Sequence, residues 1–354
     1  MDVAVIDQNL RLNAIPKETD IVWHNAARPP FVVYGAWQAE PKFLRVPANV
    51  AQASNAGVAE LNGHTAGVRI RFCTDSPYIA VRVEWSVLSR MSHMPPSGIN
   101  GLDLYAVKGG CQVFRGAFIP PLDAELGFEA VLYTAGEMSE YVLNLPLYNA
   151  VDRLMIGVRE DAAFQEPDTY ANPLPVVFYG SSITQGGCAS RPGNCYPNFL
   201  SRWLDMDYIN LGFSGSARAE EAIVAYMAGL PMAAFVSDYD HNAPDAEYLD
   251  KTHLRMYQMI REMQPTLPYV IVSRPDFKPG DEVLKEIILF TYRYALDHGD
   301  QNVYFIDGPM LFGETDGDAC TVDGCHPNDL GFYRMARGLE PVLRKILEND
   351  SVLP

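Results

Sequence analysis

The stretch Pro175-Val176-Val177-Phe178-Tyr179-Gly180-Ser181-Ser182-Ile183-Thr184-Gln185-Gly186-Gly187 decides how the rest of the chain is read. Residues 176–179 form a short apolar run of the kind a fully buried strand carries. The run stops at Gly180, two serines follow, and Gly186 and Gly187 open a loop before an amphipathic segment that begins near Tyr196. A strand that ends in Gly-Ser-Ser ahead of a helix brings a hydroxyl to the carboxyl edge of a sheet, where open α/β sheets keep their chemistry. Taken alone, the block is satisfied, and more simply, by Ser182 capping a helix. The loops further along separate the two readings.

Downstream, the rhythm is strand, loop, helix. Apolar runs at 176–179, 208–213, 233–237, 269–273 and 303–307 read as strands. Helical patterns occupy 196–204, 217–227, 246–263 and 281–298, and a last one spans 327–347. Five strands alternating with helices predict a parallel sheet covered on both faces. Upstream, to about residue 165, the pattern is different. Val68, Ile70 and Phe72 alternate with Arg69 and Arg71, and Ile79, Val81, Val83 and Trp85 alternate around Arg82 and Glu84. Short runs of this kind, separated by turns such as Gly109-Gly110 and Pro120-Pro121 and with no convincing helix among them, predict an all-β sandwich of jelly-roll type. The polar, proline-containing segment 166–174 reads as a linker, which gives a β domain over 1–165 and an α/β domain over 175–354.

The chain has 354 residues, 48% hydrophobic and 20% charged, the composition of an ordinary folded protein. Its formal net charge of -17 argues against nucleic acid and against anionic membrane surfaces as partners. No apolar run is long enough to span a bilayer. Residues 1–15 carry Asp2, Asp7 and Arg11 and do not read as a secretory signal, so a cytoplasmic location is expected. The cysteines Cys73, Cys111, Cys188, Cys195, Cys320 and Cys325 are too few for a disulfide scaffold and lack a usual zinc spacing; reduced, partly buried thiols are expected.

A serine nucleophile needs a base, a group that orients the base, and donors for the oxyanion. Asp323-Gly324-Cys325-His326-Pro327 follows the fifth strand and precedes the last helix. An Asp and a His three residues apart in a tight loop can sit side by side, the carboxylate on one ring nitrogen and the other nitrogen free to face a hydroxyl. The bland alternative makes Asp323 a helix cap and His326 a surface residue. Donors are available in Asn210-Leu211-Gly212-Phe213-Ser214-Gly215-Ser216, where Gly215 lets a backbone N–H approach a ligand, and in Ser237-Asp238-Tyr239-Asp240-His241-Asn242, where Asn242 offers an amide. Asp238, Asp240 and His241 also raise a metal site, but no second cluster of ligands stands out in the sequence, and no metal or organic cofactor is expected.

These four blocks together resemble the SGNH hydrolases, the superfamily that includes the GDSL esterases and lipases. The resemblance covers the chain from about Pro175 onward and implies a flavodoxin-like sheet, a Ser182-His326-Asp323 triad, and an oxyanion hole from the backbone of Ser182 and Gly215 and the side chain of Asn242. The usual Gly-Asp-Ser-Leu is Gly180-Ser181-Ser182-Ile183 here, and alignment of the block selects Ser182 over Ser181. Gly101-Leu102-Asp103-Leu104-Tyr105 resembles the Gly-x-Asp-Leu-Tyr motif of a subgroup with an extra amino-terminal β domain, which implies a carbohydrate-binding jelly roll beside the catalytic domain. The loop Ser89-Arg90-Met91-Ser92-His93-Met94-Pro95-Pro96 is either a long crossover or a segment that reaches the active-site mouth. The expected activity is hydrolysis of short acyl esters, acetyl esters foremost, of carbohydrates or related metabolites. An acyltransferase on the same acyl-enzyme and a non-catalytic carbohydrate-binding protein are the alternatives. The oligomeric state is not legible.

Overall fold

The computed structural model describes Ile6, Asp7 and residues 15–350. The absence of a secretory signal, read above from residues 1–15, falls mostly outside these described residues. Among the described residues ten strands precede the parallel sheet: β1 (Ile21–Asn25), β2 (Val32–Tyr34), β3 (Arg69–Thr74), β4 (Tyr78–Glu84), β5 (Leu102–Lys108), β6 (Cys111–Phe118), β7 (Gly127–Tyr133), β8 (Ser139–Asn144), β9 (Arg153–Arg159) and β10 (Phe164–Gln165). They form two antiparallel sheets, one in the order β1-β9-β4-β7 and one in the order β10-β3-β8-β5-β6 with β2 on β3. Val68, Ile70, Phe72, Ile79, Val81, Leu104, Leu143 and Ile156 fill the space between them. This is the sandwich that the alternation predicts.

Two features of this part depart from the sequence reading. Arg69 and Arg71, which alternate with the apolar residues as in a half-buried strand, are themselves buried, because the outer face of β3 is covered rather than solvated. Arg69 pairs with Asp207 and stacks over Tyr208, and Arg71 pairs with Glu140 and lies over Tyr170. Helices are also present: α1 (Ala48–Ser54), α2 (Ala56–Leu61) and α3 (Pro96–Ile99). Asn55 caps α2, accepting the Val58 N–H at 2.9 Å. These helices are too short to show a full apolar stripe, and α1 and α2 are stabilised by packing Ala51 and Val58 onto the parallel sheet.

The second part contains β11 (Asn172–Gly180), α4 (Ser182–Gln185), α5 (Tyr196–Leu204), β12 (Met206–Gly212), α6 (Glu221–Ala228), β13 (Ala234–Asp238), α7 (Ala246–Met263), β14 (Tyr269–Val272), α8 (Glu282–Asp297), β15 (Val303–Ile306) and α9 (Asp329–Asp350). The five strands are parallel in the order β12-β11-β13-β14-β15. Both faces are buried. Val176 and Phe178 pack with Tyr196, Leu200, Phe332 and Met335, while Val177 and Tyr179 pack with Ile223, Val224, Leu249 and Ile288. β11 is first in the chain and lies inside the sheet, with β12 on one side and β13 on the other. The strand order therefore reverses at β11, and a crevice opens at its carboxyl end. The loops after β11, β12 and β13 meet there.

Candidate active site

Ser181 and Ser182 have different local roles. Ser181 is buried, and its Oγ accepts the Ile183 N–H at 3.2 Å, so Ser181 caps α4. Ser182 is thereby relieved of capping, and its Oγ lies 3.0 Å from Nε2 of His326. Gly180 is required for this close turn. A Cβ there would stand 2.2 Å from Oγ1 of Thr184 and 2.3 Å from the carbonyl of Asp238.

His326 is held by the loop that carries it. Its Nδ1 is 2.8 Å from Oδ2 of Asp323. The other carboxylate oxygen of Asp323 accepts the backbone N–H of Cys325 at 3.0 Å and that of His326 at 2.8 Å. Burial works to raise this carboxyl, but the backbone and ring of His326 and the N–H of Cys325 outweigh it and bring it down to about 2. An imidazole whose Nδ1–H faces a fixed carboxylate presents Nε2 as an acceptor to the serine hydroxyl.

The predicted donors sit on the neighbouring strand ends. Among the described residues no protein acceptor takes the N–H of Ser182 or that of Gly215. Gly215 has φ +65 and open space around it, so the left-handed backbone, not crowding, calls for glycine. One amide hydrogen of Asn242 goes to the Phe213 carbonyl at 3.0 Å, which leaves the second for a ligand. Gln185 joins the loops, since its Oε1 accepts the Ser214 N–H at 2.9 Å. The structure thus brings Ser182, His326 and Asp323 into one hydrogen-bonded line. It sets Gly215 and Asn242 on the two loops flanking that line.

Tyr148 has no place in the sequence reading, and the loop 89–96 has one only as an open alternative. The hydroxyl of Tyr148, from the segment after β8, donates to the Ser182 carbonyl at 3.1 Å. A Cβ on Gly187 would come within 2.7 Å of that hydroxyl. The loop 89–96 reaches the mouth: the His93 ring centroid is 5.8 Å from that of His326. Buried Met94 anchors this loop in the core beside Ile99. A cavity of about 220 Å³ opens beside it, lined by Leu88, Arg90, Met91, Pro96 and Pro121 among others. No spacing in the sequence connects residues 93 or 148 to residue 326; only the fold does.

The acidic residues after β13 are turned to separate tasks. Asp238 is fully buried, and its Oδ2 accepts the Thr184 hydroxyl at 3.1 Å. Burial pushes its carboxyl up to about 7, against the opposing effect of His241. Asp240 is held by Arg274, whose backbone N–H and guanidinium reach Oδ2 at 3.1 and 3.3 Å. His241 places Nδ1 3.5 Å from Asp240 and Nε2 2.7 Å from Asp276. Burial alone would lower this imidazole, but Asp240 and Asp276 outweigh it and hold it well above its ordinary value. All six cysteines are free thiols; Cys73, Cys188, Cys195 and Cys320 are buried, Cys325 is partly exposed and Cys111 exposed.

Comparison with known proteins gives two family matches. The GDSL-like Lipase/Acylhydrolase family matches residues 174–344, and the family described as the N-terminus of Esterase_SGNH_hydro-type matches residues 21–164. A structure from Bacteroides ovatus ATCC 8483 described as a GDSL-like lipase is 30% identical, with a TM-score of 0.84 over 93% of this chain and 98% of that one. The salicylyl-acyltransferase SsfX3 from a tetracycline biosynthetic pathway is 21% identical, with a TM-score of 0.75 over 96% of this chain and 99% of that one. A family two carbohydrate esterase from Cellvibrio japonicus is 13% identical, with a TM-score of 0.59 over 93% and 98% of the two chains. At these last two identities the likeness concerns the fold. No curated protein matches the chain by sequence.

Proposed function

The chain belongs to the GDSL-like lipase/acylhydrolase family, and from that premise we propose that it is a serine esterase whose triad is Ser182, His326 and Asp323. Membership makes it an ester hydrolase; the nucleophile, its base and the substrate are our reading. The observation that carries it is the continuous line from Ser182 Oγ to His326 Nε2 at 3.0 Å and from His326 Nδ1 to Asp323 at 2.8 Å. His326 takes the Ser182 proton as the hydroxyl attacks the ester carbonyl. Asp323 keeps the ring oriented and stabilises its charged form. The N–H groups of Ser182 and Gly215 and the amide of Asn242 stabilise the oxyanion. His326 returns the proton to the departing alcohol, and water then releases the acyl group by the same route.

For the substrate we propose short acyl esters of carbohydrate or related metabolites. The carbohydrate esterases among the structural neighbours share both halves of this fold, which supports the class. A mouth bordered by a loop of the β-sandwich supports a polar alcohol there rather than a long lipid chain. Hydrolysis of p-nitrophenyl acetate and longer acyl esters by wild type and Ser182→Ala tests the reading. Short-chain activity that vanishes in the variant is expected; activity that survives Ser182→Ala refutes the assignment. A second reading, acyl transfer, is favoured by the likeness to an acyltransferase across 96% of this chain. Product analysis with an added acceptor alcohol separates the two: acylated acceptor indicates transfer, free acid alone indicates hydrolysis.

A further inference from the structure

We propose that His241, Asp276 and Cys325 form a binding site for a zinc-type divalent cation, separate from the Ser182 triad and coupled to it. One ligand atom from each of the three lies within 4.8 Å of the others. An imidazole, a carboxylate and a thiol make a donor set that suits Zn²⁺ rather than the hard cations Ca²⁺ or Mg²⁺. Tetrahedral zinc at about 2.0–2.3 Å from each ligand spaces those ligands roughly 3.3–3.7 Å apart. His241 Nε2 and Asp276, now 2.7 Å apart, open by about 0.6–1 Å to admit the cation. The three residues are of intermediate burial, with the side chains of His241 and Asp276 9% and 10% exposed.

The surroundings of His241 strengthen the assignment. A metal-binding histidine generally gives its other ring nitrogen to a carboxylate, which fixes the tautomer and turns the free nitrogen toward the metal. Nδ1 of His241 stands 3.5 Å from Asp240, an ion-pair distance at which neither atom makes a hydrogen bond, and Asp240 is itself held by Arg274. Nε2 already points to the side where Asp276 and Cys325 stand. When the cation binds, it replaces the proton between His241 and Asp276 and the proton of the Cys325 thiol; both protons go to solvent and no redox change occurs. The two remaining clusters of this kind among the described residues are poorer sites. Asp238 of the Asp238-Asp240-His241 group is turned to Thr184, and His93-Asp323-His326 consists mostly of the triad itself. The sequence raises a metal with Asp238, Asp240 and His241, and separately offers Cys320 and Cys325 as a pair; it does not join His241 to Asp276 and Cys325, which the fold brings together.

His241 precedes Asn242, and Cys325 precedes His326. Drawing Cys325 toward His241 therefore moves the base relative to Ser182, and the cation acts as an inhibitor. The test is titration of the full chain with Co²⁺ and Zn²⁺. Wild type should bind one Co²⁺ with a sulfur-to-cobalt charge-transfer band. In Cys325→Ser the band should vanish and Zn²⁺ affinity should fall by more than about 10-fold. Asp276→Asn should keep the band with weaker affinity, which holds the test open if Cys325→Ser folds poorly by circular dichroism. Zn²⁺ should slow p-nitrophenyl acetate hydrolysis in wild type far more than in Cys325→Ser, each relative to its own metal-free rate. No charge-transfer band in wild type, a band that survives Cys325→Ser, or Zn²⁺ binding abolished by His93→Ala would each overturn the proposal. The metal titration is read without turnover, so its outcome is independent of whether Ser182 is the nucleophile.

Discussion

At Asn242 one amide hydrogen is already committed to the Phe213 carbonyl, so truncation removes both a proposed oxyanion donor and a brace for the Gly215 loop. Asn242→Ala should lower kcat by about 100- to 1000-fold with a much smaller change in KM, the pattern of an interaction made in the transition state. Full activity in that variant would remove Asn242 from the oxyanion hole. Asp238 offers a different test, of stability rather than turnover. Its carboxyl, raised to about 7 by burial, keeps its proton in the folded state over a range where the unfolded chain has lost it. The unfolded state binds fewer protons between about pH 4 and 7, so stability falls as pH rises through that window and levels off above it. Asp238→Asn keeps the shape and removes the titration. Its melting temperature should decline less than that of wild type between pH 4 and 8, and parallel curves for the two proteins would show that Asp238 is ionised as folded. Asp323 has the opposite sign. Held at about 2, it keeps its charge down to strongly acid pH, so its protonation does not set an acid limb of activity near pH 5.

At the scale of elements, α4 is a single turn whose start depends on the Ser181 cap. Ser181→Ala should cost about 1 kcal/mol of stability, measured by urea unfolding, and should reduce kcat because α4 carries Ser182. An unchanged unfolding midpoint would deny the cap its role. The loop 89–96 belongs to this scale too. His93→Ala should lower kcat/KM on an acetylated sugar by roughly 10-fold while sparing p-nitrophenyl acetate, because an aryl ester has no sugar for the imidazole to contact. Equal losses on both substrates would instead make His93 a support for His326. The elements themselves differ in how plainly the sequence announces them. Helices α5 and α7 occupy the predicted spans 196–204 and 246–263, where the apolar period is long and unbroken. Helix α6 starts at Glu221 rather than 217, because Ala219 takes a φ of 55 and no helix passes through that conformation. The last helix begins at Asp329 rather than 327, since Pro327 bridges to Thr321 and the Asn328 side chain accepts the first N–H groups. Ser182, Asp323 and His326 were legible because each is tied to the end of a strand or to a tight local turn. Tyr148 was not, and His93 only as one of two readings of its loop, because their places are set by packing between distant segments.

The molecule as a whole is knit together at Asp103, the acid of the Gly-Leu-Asp-Leu-Tyr motif. Fully buried on β5, it accepts from Asn144 at 2.7 Å, from the Gly193 N–H at 2.8 Å and from Arg191 at 2.9 Å. Arg191 and Gly193 belong to the segment just after the Ser182 turn, and Asp329 at the start of α9 binds Ser190 and Asn194 from the same segment. The β-sandwich and the parallel sheet are also joined through shared cores, in which Met94, Ile99, Leu147 and Tyr148 pack with Phe178, Ile183 and Tyr196. A motif that reads as a label in the sequence is therefore a buried anion that holds the nucleophile segment against the first domain. Removing it leaves Arg191 beneath Tyr105 and Phe114 with its charge uncompensated, a change that typically costs about 3–5 kcal/mol. Asp103→Ala should therefore lower the melting temperature and reduce kcat together, even though no atom of Asp103 contacts the Ser182 hydroxyl. Asp103→Asn, which retains an acceptor oxygen but loses the charge, should fall between wild type and Asp103→Ala. With the junction as extensive as this, calorimetry of the wild type should give one cooperative transition, and Asp103→Ala should shift that whole transition. Two separate transitions, of which Asp103→Ala moves neither, would mean that the halves fold independently and that Asp103 serves only its own sheet.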